Sequence, residues 1–105
     1  MKINIQSFSF QANDKLIDFA KDKISKLTQY SGRVMEAQVT LKAVKSATRN
    51  SKICEIKLAI PGNDLFASKQ CNSFEEAILK SSEALKQQLL TWKEKNQKVN
   101  YRQEF

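Results

Sequence analysis

At 105 residues with 41% apolar content, the chain is long enough for one hydrophobic core and too short for two ordinary domains. Eighteen Lys and Arg against 11 Asp and Glu give a formal charge of +7, and with no His that charge persists through neutral pH, so an acidic partner is expected. The sequence has no spanning apolar stretch and no lipidation signal, and Met1 to Phe10 alternate unlike a secretory signal, so the expectation is a cytoplasmic protein without a membrane partner.

Ile3 and Ile5 alternate with Lys2, Asn4 and Gln6, the period of a strand with one buried face. Phe8 and Phe10 break that phase, so this strand is expected to bulge or end near Gln6. Asn13 or Asp14 is placed to cap a helix running to about Tyr30. Within it Leu16, Ala20, Ile24 and Leu27 form a buried stripe, widened by Ile17 and Phe19, and Ser31 and Gly32 end the pattern. Ala37, Val39, Leu41 and Ala43 predict a second strand. The segment Lys45 to Lys52 then has turn chemistry and carries Lys45, Arg49 and Lys52 with no acid.

Cys54, Ile56, Leu58 and Ile60 make the inward set of a third strand, stopped by the turn Pro61-Gly62-Asn63-Asp64, after which Leu65 and Ala67 open a fourth. Ser73 predicts the N-cap of a second helix, with Glu76 at the reciprocal capping-box position. Its apolar positions Phe74, Ile78, Leu85, Leu89 and Trp92 share one face. Periodicity is lost after Lys95, which predicts a domain over residues 1–95 and a flexible tail over 96–105. The order β-α-β-β-β-α defines an α+β fold: a four-stranded mixed sheet with both helices on one face and the first strand parallel to its neighbour.

Little catalytic chemistry is available. There is no His, no Gly-rich phosphate loop and no paired-carboxylate motif, so neither an enzyme nor a small-molecule substrate, cofactor or metal is expected. Asp14, Asp18 and Asp22 recur at intervals of four but are interleaved with Lys15, Lys21, Lys23 and Lys26, which reads as a solvated charged face. Cys54 and Cys71 lack metal-binding spacing and read as buried free thiols.

On the first helix, Lys15, Lys23 and Lys26 are assigned to the side away from the apolar stripe, and Arg33 extends that patch past the helix end. On the second, Lys86 and Lys93 lie seven apart on one flank, Lys80 on the back and Lys95 on the opposite flank. Taken alone, this pattern fits either a solvated surface or a nucleic-acid interface.

Several segments together carry a family resemblance: KINIQ at the start, DKLIDFAKDKISKLTQY, VTLK before the basic loop, LFASK, SFEEAI, and Leu85, Gln88, Leu89 and Lys93-Glu94-Lys95. Over residues 1–95 the chain resembles the ribosome hibernation promoting factors and ribosome-associated translation inhibitors, once named sigma-factor modulation proteins, in their short form. The resemblance implies a fold similar to a double-stranded RNA-binding domain. It implies binding to the small ribosomal subunit and its ribosomal RNA in the decoding region, with reversible inhibition of translation under stress by occlusion of messenger and transfer RNA. The basic residues it assigns are Lys23, Lys26, Arg33, Lys86, Lys93 and Lys95, with Lys42 and Lys45 leading into the second loop. Adding Lys15 and Arg49 completes the expected RNA-binding set, on a chain expected to be monomeric when free.

Leu79, Gln87 and Thr91 stand where members of the family often carry an acid, an Arg and a Lys, so the second helix is expected to bind more weakly. Two other readings remain open. One is a general double-stranded RNA-binding module, which Glu75 and Glu76 at the start of the last helix oppose by repelling phosphate. The other is a protein-interaction domain using Val44, Ile53 and Phe66 on the open sheet face.

Overall fold

The computed structural model describes the backbone of residues 1–45 and 50–103, and the side chains of residues 1–44 and 51–95. Strand β1 (Lys2–Phe8) leads into helix α1 (Asp14–Ser25), which tightens into a 3₁₀ turn at Lys26–Gln29. Strands β2 (Glu36–Lys45), β3 (Asn50–Ile60) and β4 (Asn63–Cys71) follow, and helix α2 (Phe74–Gln103) closes the chain. The sheet order is β1-β2-β3-β4, with β1 parallel to β2 and the other two pairings antiparallel. The expected α+β architecture is therefore the one observed.

Register explains why the core lies where it does. Ile3, Ala37, Leu58 and Leu65 form one cross-strand row, and Ile5, Val39, Ile56 and Ala67 form the next. These rows face the helices and bury against Ala20, Ile24 and Leu27 from the first helical segment and Phe74, Ile78, Leu85 and Leu89 from α2. Side chains such as Ile56, Leu58, Ile78, Leu85 and Leu89 are fully enclosed, each contributing about 1.5–3 kcal/mol by leaving water. Buried polar chemistry is satisfied locally where the Ser81 hydroxyl donates to the Cys54 carbonyl at 3.1 Å. Cys54 is a buried free thiol as expected, and Cys71 is free but only partly buried.

Three local expectations need correction. β1 does not bulge or stop at Gln6 but continues to Phe8, whose side chain stays in phase on the open face, paired in register with Lys42. The phase change comes after the strand, at Ser9, whose φ of 68° is a left-handed conformation rare for a non-glycine residue. That turn swings Phe10 to the helical side, where it stacks on Phe74 with ring centres 4.3 Å apart.

The second correction concerns the caps. Asn13 caps α1, its Oδ1 accepting from the Leu16 amide at 2.8 Å, and the Ser73 hydroxyl accepts from the Glu76 amide at 3.2 Å. The Glu76 carboxylate does not complete a capping box. It points along the helix to Lys80, 3.0 Å away, because that partner carries a full charge.

Third, α2 continues as helix to Gln103, past the expected end at Lys95. Backbone hydrogen bonds sustain a helix whether or not one face has a core to bury, so loss of apolar periodicity does not mark its end. Among the described residues no helix is long and apolar enough to cross a membrane.

Candidate nucleic-acid interface

Because β1 and β2 are parallel, α1 must run back along the sheet, and α2, leaving the end of β4, runs the same way. The helices therefore lie side by side with their N-terminal ends together. Lys15, Leu16 and Phe19 share a cleft there with Phe74 and Glu75, and further along Tyr30 meets Lys86. The basic flank of α1 thus borders α2.

This position corrects the assignment of Lys23. At 100° per residue it falls close to Leu16, within the edge of the apolar stripe. Its side chain is only 31% exposed, with the ammonium 5.5 Å from the Phe19 ring centre and 3.8 Å from Asp22. Lys26, at 52% exposure, shares Asp22 at 3.5 Å. Exposed pairs of this kind are worth about 0–1 kcal/mol, so a phosphate can displace Asp22 at little cost.

Past the 3₁₀ turn, two cations are held against aromatic rings. The Lys86 ammonium lies 5.2 Å from the centre of Tyr30, and the Arg33 guanidinium lies 5.9 Å from that of Trp92. Arg33 is fixed by a local turn in which the Ser31 hydroxyl accepts from its amide at 3.2 Å, while neighbouring Val34 is buried. Each ring contact contributes about 0.5–1 kcal/mol at an exposed site and orders the cation. Lys93 follows Lys86 two turns along α2.

Leu79, Lys86, Leu90 and Lys93 fall within about 60° of one another at 100° per residue. Leu79 and Leu90 are 47% and 37% exposed, so the outer stripe of α2 alternates apolar and cationic patches.

The structure thus gathers Lys15, Lys23, Lys26, Arg33, Lys86 and Lys93 along the two-helix face. Two other expected residues lie elsewhere. Lys42 is on the opposite side of the sheet, 3.2 Å from Glu55 on β3. Lys95 sits on the far flank of α2, bordering a hollow with Asn63, Leu65 and Trp92. The turn expected over Lys45–Lys52 is shorter than that, because β2 runs to Lys45 and β3 starts at Asn50; the Lys45 side chain and residues 46–49, Arg49 among them, lie outside the described residues. Among the described residues no cluster of three or more His, Cys, Asp or Glu could hold a metal.

The aromatic component of this surface is absent from the expectations drawn from the sequence. Phe19 precedes Lys23 by four positions, an interval that stacks side chains on one helix face and is readable in advance. The Tyr30–Lys86 and Arg33–Trp92 pairs carry no such local signal, because tertiary packing alone joins them.

On the open face, Phe8, Lys42 and Ile53 share one cross-strand row, whereas Phe66 lies in the row of Asn4, Gln38 and Lys57. The row between them contains Gln6, Thr40, Glu55 and Ser68. Val44, Ile53 and Phe66 therefore form no contiguous apolar patch.

The fold and face define a class: a small α+β domain whose two parallel helices carry a cationic, aromatic surface. The chain matches the family model described as "Sigma 54 modulation protein / S30EA ribosomal protein" over residues 3–97, and it belongs to that family. It is 28% identical over 85 residues to the ribosome hibernation promotion factor of Deinococcus radiodurans, covering 79% of this chain and 44% of that one. The chain therefore spans less than half the length of this relative. Two solved structures share the fold. The Thermus thermophilus Protein Y N-terminal domain matches with a TM-score of 0.78 at 19% identity, covering 88% of this chain and 99% of that one. A ribosomal subunit interface protein from Coxiella burnetii matches with a TM-score of 0.80 at 15% identity, covering 89% and 98%.

Proposed function

We propose that this protein is a cytoplasmic ribosome hibernation factor: it binds ribosomal RNA on the small subunit through the two-helix face and reversibly inhibits translation under stress. The observation that carries the reading is the convergence of Lys26, Arg33, Lys86 and Lys93 beside Tyr30 and Trp92 on one side of the fold. Family membership and the name of the Deinococcus relative support a ribosomal target. The mechanism is steric. A folded domain docked in the decoding region occupies space needed by messenger and transfer RNA, with no chemical step and no cofactor.

Cations held by side-chain packing contact phosphates without reading bases, which suits recognition of one folded RNA by shape. Two Glu side chains at the start of α2 disfavour a phosphate at that end, which weighs against a general duplex-binding module. The test is sedimentation of the free monomer with purified small and large subunits across a salt series. Co-sedimentation with the small subunit, weakening steeply with salt, is expected. Equal binding to any duplex RNA would replace this reading with the general module, and salt-insensitive binding to a protein would replace it with an interaction domain.

A further inference from the structure

The N-terminal end of the interhelical groove contains a cleft of about 520 Å³, bordered by Phe10, Phe19, Phe74, Lys15 and Glu75. Phe10 reaches it only because Ser9 takes a left-handed backbone conformation, φ 68°, and Phe10 then stacks on Phe74 at 4.3 Å. Phe10 and Phe19 remain partly exposed. Cations stand over two of the rings, Lys23 at 5.5 Å from Phe19 and Lys52 at 5.6 Å from Phe74. Lys15 and Glu75 are exposed at the rim, and neither has an ion-pair partner among the described residues.

We propose that this cleft receives one unpaired RNA nucleotide, its base against the partly exposed rings of Phe10 and Phe19, its phosphate toward Lys15 and its amino edge toward Glu75. The inference rests on the RNA-binding reading above and adds base recognition to a surface otherwise suited to phosphate. Complementarity selects the occupant. A phenyl wall accepts the flat face of any base, and the flanking cations match the negative backbone. Glu75 repels phosphate but accepts hydrogen bonds from a base, so it favours guanine, whose ring N–H and amino group both donate, over uracil, which offers a single ring N–H. The same acid that opposes a duplex backbone at this end is thus compatible with an extruded base.

The probe is GMP, with UMP as a charge-matched comparison, titrated into the full chain and followed by amide chemical shifts. Saturable shifts confined to the residues around Phe10, Lys15, Phe19 and Glu75, with GMP binding several-fold tighter than UMP, are expected. Phe19→Leu keeps an apolar side chain packed against the core and removes the ring. It should weaken GMP binding and lower affinity for the small subunit by at least about fivefold without abolishing it, the scale of one lost stacking contact. Glu75→Gln, an exposed change that leaves the fold alone, should bring GMP and UMP together. Shifts spread along the lysines of both helices, or full small-subunit affinity in folded Phe19→Leu, would overturn the base site while leaving ribosome binding intact. Saturable GMP binding in the cleft by a chain that ignores the small subunit would do the reverse, supporting the site and removing the ribosomal reading.

Discussion

The ammonium of Lys86 on α2 lies 5.2 Å from the ring centre of Tyr30, the residue that ends the first helical segment. The contact joins the two helices and fixes a cation at the middle of the basic face. A double-mutant cycle with Lys86→Met and Tyr30→Leu, read by urea denaturation, is expected to give a coupling of about 0.5–1 kcal/mol. Strictly additive effects would mean the pair does not order the face.

Charge reversal should separate the two sides of the sheet. Lys26→Glu with Lys93→Glu is expected to lower small-subunit affinity and to flatten its salt dependence by about one unit of slope per lysine. Lys42→Glu, on the opposite side and already beside Glu55, should leave both nearly unchanged. Salt-dependent sedimentation of the folded variants checks this.

Burial pushes the Cys54 thiol up from its ordinary 9.0 to about 11, with the Ser81 hydroxyl beside the sulfur opposing the rise. The raised value gives stability a pH dependence of definite sign. Below pH 9 the thiol is protonated in both states and its contribution is complete. Between about 9 and 11 only the unfolded thiol ionises, so stability falls, by about 2–3 kcal/mol if the whole shift is expressed. Urea denaturation of the protein and of Cys54→Ala across that range should show a loss in the former that the variant lacks.

The Asn13 side chain is the sole N-terminal cap of α1 by a side chain among the described residues, bonding the Leu16 amide at 2.8 Å. Asn13→Ala is expected to cost about 1 kcal/mol in thermal or urea denaturation, and Asn13→Ser much less.

The fold was legible because its signals are local. Alternation at Ala37, Val39 and Leu41 sets which strand face is buried, and the stripe Phe74, Ile78, Leu85, Leu89 sets how α2 docks. Apolar pattern misled where burial and backbone part company: Phe8 lies in phase though exposed, and α2 outlasts its buried stripe. The site was legible only in part. Charge and helical spacing put Lys26, Lys86 and Lys93 on the outer flanks of the helices, yet the same spacing, applied to Lys23, places it at the stripe's edge. Lys42 entered the expected set through the family resemblance, whereas strand alternation turns it to the other face. The aromatic partners Tyr30 and Trp92 depend on two helices meeting, which no local pattern encodes.

Hydroxyl-radical footprinting of small-subunit RNA, with and without the protein, tests the central claim most directly. Protection confined to the decoding region is expected, present with the native protein and absent with the Lys26→Glu, Lys93→Glu variant. Protection elsewhere on the subunit, or an equal footprint from that variant while folded, would contradict it.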